Sequence, residues 1–212
     1  MICSVNEVEN IFTKAAIGAG FHVGIAGEIS NAGIWLSLNG FNGEETVLKV
    51  IQGKQRNSKV VFDDIGRPMF NDQHVGLIGP SVIDYLIASK CSQVIKLINI
   101  DVPLLMVGLA GVASNILDFR FLIKFQNNVE VNISKNHFSK TGTILAKRAT
   151  ITISIREGID RHKEKKLNLK EGGIKVSDRA WGKLNKLAHL TYVKNSVASR
   201  YIGAGAGLID ND

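Results

Sequence analysis

The chain has 212 residues, 45% of them hydrophobic and 7% aromatic, with a formal net charge of +7. That length supports one sizeable core or two small ones. The positive balance invites a nucleic-acid reading, but lysine outnumbers arginine, and the chain is also rich in Ile and Asn, the bias of AT-rich coding sequence. Nucleic-acid surfaces favour arginine for bidentate contacts, so nucleic acid is not an expected partner.

Cys3 and Cys91 cannot build a disulfide framework and read as reduced thiols of a cytoplasmic protein. The opening Met1-Ile2-Cys3-Ser4 lacks the basic and then apolar run of a signal peptide. The most apolar stretch, Val102 to Ala113, is about 12 residues, against the roughly 20 of a membrane helix. No membrane is expected, and that stretch reads as a buried strand or strand-to-helix turn.

In chain order, residues 4–53 read as helical. Ser4 and Glu7 form a capping box, followed by Val5, Val8, Phe12, Ala15 and Ala19 at helical spacing. Cys3, just before the cap, pairs with Val8 as a hydrophobic staple rather than as a nucleophile. Gly18 and Gly20 close this helix. A second carries Ile25, Ile29, Ala32 and Leu36 on one stripe, with Trp35 beside it. Asn42 and Glu45 open a short third helix through Ile51.

Residues 54–80 read as an irregular, polar loop carrying Arg56, Asp63, Asp64, Arg67, Asp72 and His74, and a connection that long is functional or mobile. Residues 81–156 read as a helix capped by Ser81 and then a sheet. The clearest hairpin alternates Leu117, Phe119, Phe121, Ile123 and Phe125 on one arm, with Val129, Val131 and Ile133 on the other. Ala149, Ile151, Ile153 and Ile155 supply another strand, its hydroxyl neighbours outward. Residues 157–176 read as a charged linker. Residues 177–212 read as a helix starting at Ser177, with Trp181, Leu184, Leu187 and Ala188 on one face, and then a Gly-rich tail.

The chemistry-bearing residues are sparse. No pair of the five histidines has the helical spacing of metal ligands, and no metal site is expected. Asp72-Gln73-His74, in the long loop, is a carboxylate–imidazole neighbourhood. Dinucleotide fingerprint, P-loop and Gly-x-Ser-x-Gly elbow are all absent. The tail is denser. Ser196, Ser199, Arg200, Gly203, Gly205, Gly207, Asp210 and Asp212 fall in one short run, and alternating glycines allow a backbone nest around an anion. With His74 they form the expected ligand-binding set, for a small anionic ligand, Arg200 being its bidentate partner. Asp210 and Asp212 either ligate a hard cation or, the reading preferred here, pair with Arg or Lys and lock the tail.

Two segments carry a family resemblance. The run Thr191-Tyr192-Val193, Ser196, Ser199-Arg200 and Gly203-Ala204-Gly205-Ala206-Gly207, ending in Asp210-Asn211-Asp212, resembles the C-terminus of an uncharacterised bacterial family, catalogued as domain of unknown function 3726. The opening Met1-Ile2-Cys3-Ser4-x-Asn6-Glu7 resembles the same family. Its members usually have proline after Tyr-Val, where this chain has Lys194. The resemblance implies a cytoplasmic protein of alphaproteobacterial type, of about this length, and implies no activity or cofactor.

The expected fold is α+β in a single domain, with N-terminal and C-terminal helices packed on a mainly antiparallel sheet. A two-fold homodimer is the expected assembly, because the apolar strands, Trp35 and Trp181 exceed what one layer covers. Three function classes follow: a small-molecule-binding protein or enzyme with its site near the polar loop and the tail, a non-catalytic accessory protein docking through the tail, and a nucleic-acid binder.

Overall fold

The computed structural model describes residues 1–53, 61–64, 66–89, 93–135, 137–144, 148–156, 165–166 and 173–192. The chain opens with β1 (Ile2–Cys3) and α1 (Val5–Gly18). The capping box is present: Glu7 N donates to Ser4 Oγ at 3.2 Å, and Ser4 N donates to Glu7 Oε2 at 3.1 Å. Both Cys3 and Val8 are buried. Burial, and then the Glu7 carboxylate, push the Cys3 thiol above its ordinary pKa, which keeps it protonated and unreactive at neutral pH.

Next come α2 (Val23–Leu38) and α3 (Gly43–Ile51). Gly40, at φ +80°, supplies the left-handed step that reverses the chain between them. Residues 32–36 of α2 are buried without a break, the pattern of a helix enclosed on several sides. Its neighbours are α1, α3 and α5 (Leu104–Leu117). The apolar run at 102–113 leaves the strand-to-helix connection after β4 and is mostly helix, which corrects the buried-strand alternative. A fully buried helix and a fully buried strand share a continuous apolar pattern, so periodicity cannot separate them. Gly108 and Gly111 explain why a helix fits: a Cβ at Gly108 would lie 2.6 Å from Ala32 O, and one at Gly111 would lie 2.1 Å from the Trp35 ring.

The stretch expected as an irregular loop is largely structured where it is described. It holds β2 (Val61–Phe62), β3 (Pro68–Asn71) and the first turns of α4 (Val75–Ala88). Asp63 and Arg67 close the β2–β3 hairpin, with Arg67 Nε 2.7 Å from Asp63 Oδ2. The helix begins at Val75 rather than at a Ser81 cap, and Pro80 lies within it.

The remaining strands are β4 (Val94–Ile100), β5 (Arg120–Phe125), β6 (Glu130–Ser134), β7 (His137–Lys140), β8 (Ala149–Arg156), β9 (Lys165–Lys166) and β10 (Ile174–Lys175); α6 (Asp178–Ala188) follows. The large sheet runs β2-β3-β4-β8-β5-β6-β7-β9, with β3–β4 parallel and its other pairs antiparallel. The expected hairpin is β5–β6, in the register Ile123↔Val131, but its first arm starts at Arg120, Leu117 being the last residue of α5. β9 and β10 fall within the expected 157–176 linker. One extends the sheet beside β7, and the other pairs with β1.

The fold is α+β. Ile95, Leu97, Phe121, Ile123, Ile151, Ile153 and Ile155 join the helices in one core. Lys96, Lys124, Thr152 and Ser154 alternate onto the opposite face, the expected layout of a sheet covered on one side.

Glu28 of α2 and Asp84 of α4 offer a first test. Desolvation, and then the Asp84 charge, raise the Glu28 pKa. A carboxyl whose folded pKa is raised favours folding most below its unfolded pKa, and that contribution is lost as pH rises through the folded value. Glu28→Gln removes the penalty of ionisation. The variant is expected to melt above the wild type at pH 7, the gap closing near pH ~4, where the unfolded carboxyl is itself half protonated. Thermal melts at the two pH values check this, and an equal gap at both would count against it.

Candidate functional site

β3, α4 and β4 form the only βαβ unit with parallel strands among the described residues. In such a unit the strands end at one edge, where the following helices begin, and that carboxyl edge is where α/β sheets bind ligands. Here it gathers Asp72, Gln73 and His74 after β3, Asn99 and Asp101 at the end of β4, and Arg148 and Thr150 at the start of β8.

The outer part is strained and polar. Asp72 (φ +52°) and Asn99 (φ +50°) both adopt the left-handed conformation, which costs on the order of 1 kcal/mol even for these tolerant residue types. Asn99 sits where the β4–β8 register shifts, between Leu97 and Ile100. The Asn99 side-chain amide donates to Asp72 Oδ1, and Arg148 Nη1 lies 3.0 Å from the same oxygen. Asn99 N donates to Thr150 Oγ1 at 3.2 Å. Strain of this kind concentrates at functional sites.

The inner part is buried. Asp101 Oδ1 accepts from Val75 N at 2.8 Å and from Val102 N at 2.9 Å, so this carboxylate caps α4 from the end of the neighbouring strand. Its Oδ2 is 3.5 Å from His74 Nε2. The same Nε2 is 2.9 Å from Val50 O at the end of α3. A carbonyl can only accept, so Nε2 carries a proton, and in the neutral ring Nδ1 is left as the acceptor. His74 Nδ1 and Gln73 Oε1 are both buried without a hydrogen-bond partner, while Gln73 Nε2 donates to Asn71 O at 2.6 Å. Both residues lie in the β3–α4 connection, and the His74 ring packs among Phe21, Val50 and the backbone at Gly53 and Gly76.

Of the expected site residues, His74 lies in this cluster. Ser196, Ser199, Arg200, Gly203, Gly205, Gly207, Asp210 and Asp212 lie outside the described residues. The carboxylate facing the His74 ring is Asp101, whereas Asp72 engages Asn99 and Arg148. Asp63 and Arg67 sit apart, bordering a hollow of about 220 Å³ with Lys96 and Thr152. Among the described residues no group of three or more His, Cys, Asp or Glu could hold a metal ion. No described helix is long and apolar enough to cross a membrane.

Asn99, Asp101 and Arg148 were not singled out from the sequence. The available signal was Asp101 itself, a carboxylate between an alternating strand and an apolar run, where a helix start would want a cap.

Residues 3–102 match a family model described as protein of unknown function (DUF3726). The matched segment includes Asp72, His74, Asn99 and Asp101, and stops before Arg148. By fold the chain is similar to the sulfolactate dehydrogenase from Methanocaldococcus jannaschii, with a TM-score of 0.60 at 7% identity, over 89% of this chain and 97% of that one. It is similar to the malate dehydrogenase from Entamoeba histolytica at a TM-score of 0.50 and 7% identity, over 69% of this chain and 50% of that one. The malate dehydrogenase from Pyrococcus horikoshii gives a TM-score of 0.50 at 8% identity, over 66% of this chain and 50% of that one. The matches thus span half of each malate dehydrogenase. At these identities the likeness is one of fold. No curated protein matches the chain.

Proposed function

We propose that the protein binds a small hydroxy acid at the carboxyl edge of β3 and β4. The observation that carries this reading is a pair of buried, unpartnered polar atoms, Gln73 Oε1 and His74 Nδ1, in the connection that follows β3. Buried polar atoms are nearly always satisfied, so two adjacent exceptions call for a partner, and a ligand hydroxyl, which both donates and accepts, is one. Arg148 supplies the cation. Its fork has five N–H groups, and the bond from Nη1 to Asp72 leaves others for a ligand carboxylate. Solved proteins of similar fold are named for sulfolactate and malate, both small hydroxy acids, which supports the same ligand class.

The test is a thermal-shift panel of malate, lactate and sulfolactate on wild type and Arg148→Met. At ~10 times the dissociation constant a ligand adds about 1.4 kcal/mol, which for a chain of this size raises the melting temperature by roughly 3–6 °C. Arg148 and Asp72 are both solvent-exposed, so the variant's ligand-free melting point should move by no more than ~2 °C. Its ligand-induced shift should vanish. A panel with no response, or a response that survives Arg148→Met, overturns the reading.

A further inference from the structure

We infer that the protein carries a second small-molecule site, distinct from the carboxyl edge, that takes a zwitterion of the aliphatic amino-acid type. A half-open cavity of about 430 Å³ lies where the α2–α3 corner meets β10 and the start of α6. That volume is in the range of small-molecule pockets.

Glu44, from the first turn of α3, lines the cavity and is only 5% exposed. Its Oε1 accepts from Ser177 N at 3.2 Å. A carboxylate has about four lone-pair positions to fill, and burying it with a single backbone N–H leaves most of them open. The group that completes such a site is a cationic donor, and an ammonium fits.

The opposite charge is provided for as well. Asn42 and Ser177, the residues that open α3 and α6, both line the cavity, which brings two helix N-termini to its wall. Each carries a partial positive charge; at α6 Ser177 Oγ already accepts from Ala180 N, whereas Asn42 makes no side-chain cap hydrogen bond at α3. Lys175 stands exposed at the rim. A ligand carboxylate is favoured there, and one molecule that carries both charges matches the lining. The partly buried Leu38 and Phe41 supply the apolar wall for its side chain.

The probe is L-leucine, compared with its two halves, 3-methylbutylamine and 4-methylpentanoate, by amide chemical-shift titration of the full chain. Leucine is expected to bind at least about tenfold tighter than either half and to shift Phe41–Glu44 and Gly173–Ser177. Glu44→Gln should weaken leucine and the amine by about tenfold and spare the carboxylate. Because Glu44 also holds Ser177, the exposed Lys175→Met is the second variant, expected to weaken leucine and the carboxylate and spare the amine. Shifts confined to Asn71–Val75 would place the ligand at the other edge and overturn the inference. So would an absence of leucine binding, or a half that binds as tightly as leucine. The hydroxy-acid panel reads the other site independently, so either proposal can fail alone.

Discussion

Asp101→Ala is expected to lower stability by about 3 kcal/mol. Asp101 is the hinge of three elements: it ends β4, caps α4 through Val75 N, and faces His74, which is anchored to the end of α3. Removing it strips a charged acceptor from two backbone N–H groups. Hydrogen bonds to charged groups contribute about 1.5–3 kcal/mol each, and a lost helix cap costs about 1 kcal/mol. The side chain is 19% exposed, and water taking its place recovers part of that sum. Asp101→Asn keeps an acceptor for the amides and should cost about 1 kcal/mol. Urea denaturation of both variants checks the ranking. A loss below about 0.5 kcal/mol for Asp101→Ala would mean that α4 is held by packing alone.

The same residue shows what the sequence conveyed and what it withheld. Ser4–Glu7 is a local capping box and Ser177 a local helix opener, so the starts of α1 and α6 are legible from neighbouring residues. The β5–β6 hairpin was equally legible, because Phe121, Ile123, Val131 and Ile133 alternate on both arms of a short turn. The cap of α4 comes from 26 residues away, through the pairing of β3 with β4, and no local pattern announces it. With that start hidden, residues 54–80 read as loop. The parallel β3–β4 pair, and with it the carboxyl edge, stayed out of sight. His74 was singled out for its neighbour Asp72, yet the carboxylate at its ring arrives by topology. Asn99 and Arg148 belong to the same class, being ordinary polar residues until a register shift and a neighbouring strand bring them together. The pocket at Glu44 was hidden for a like reason, since Glu44 and Ser177 lie 133 residues apart.

The second large effect is a change of sign for one chemical substitution at two glycines. Gly→Ala in a helix interior is intrinsically favourable by about 1 kcal/mol. At Gly27 of α2 an added Cβ meets nothing within 4 Å, so Gly27→Ala should stabilise by about 0.5–1 kcal/mol. At Gly108 of α5 the Cβ would lie 2.6 Å from Ala32 O and 3.0 Å from Ala32 Cβ. The obstacle is mainly the backbone of α2, which no rotamer change can move aside. Restoring an ordinary 3.4 Å contact requires the helices to part by about 0.8 Å, and close-packed interiors resist such shifts. Because α5 also packs on α4 and on the sheet, the displacement is passed to both. Overpacking costs about 1–3 kcal/mol and more against backbone, so Gly108→Ala should destabilise by about 2 kcal/mol after its propensity gain. Gly111→Ala, aimed at the Trp35 ring, should behave likewise and quench or shift indole fluorescence as the ring moves. Melting curves for the three variants decide the matter. If Gly108→Ala stabilises as Gly27→Ala does, α2 and α5 do not meet through Gly108, and the helix assignment of residues 104–117 loses its packing rationale.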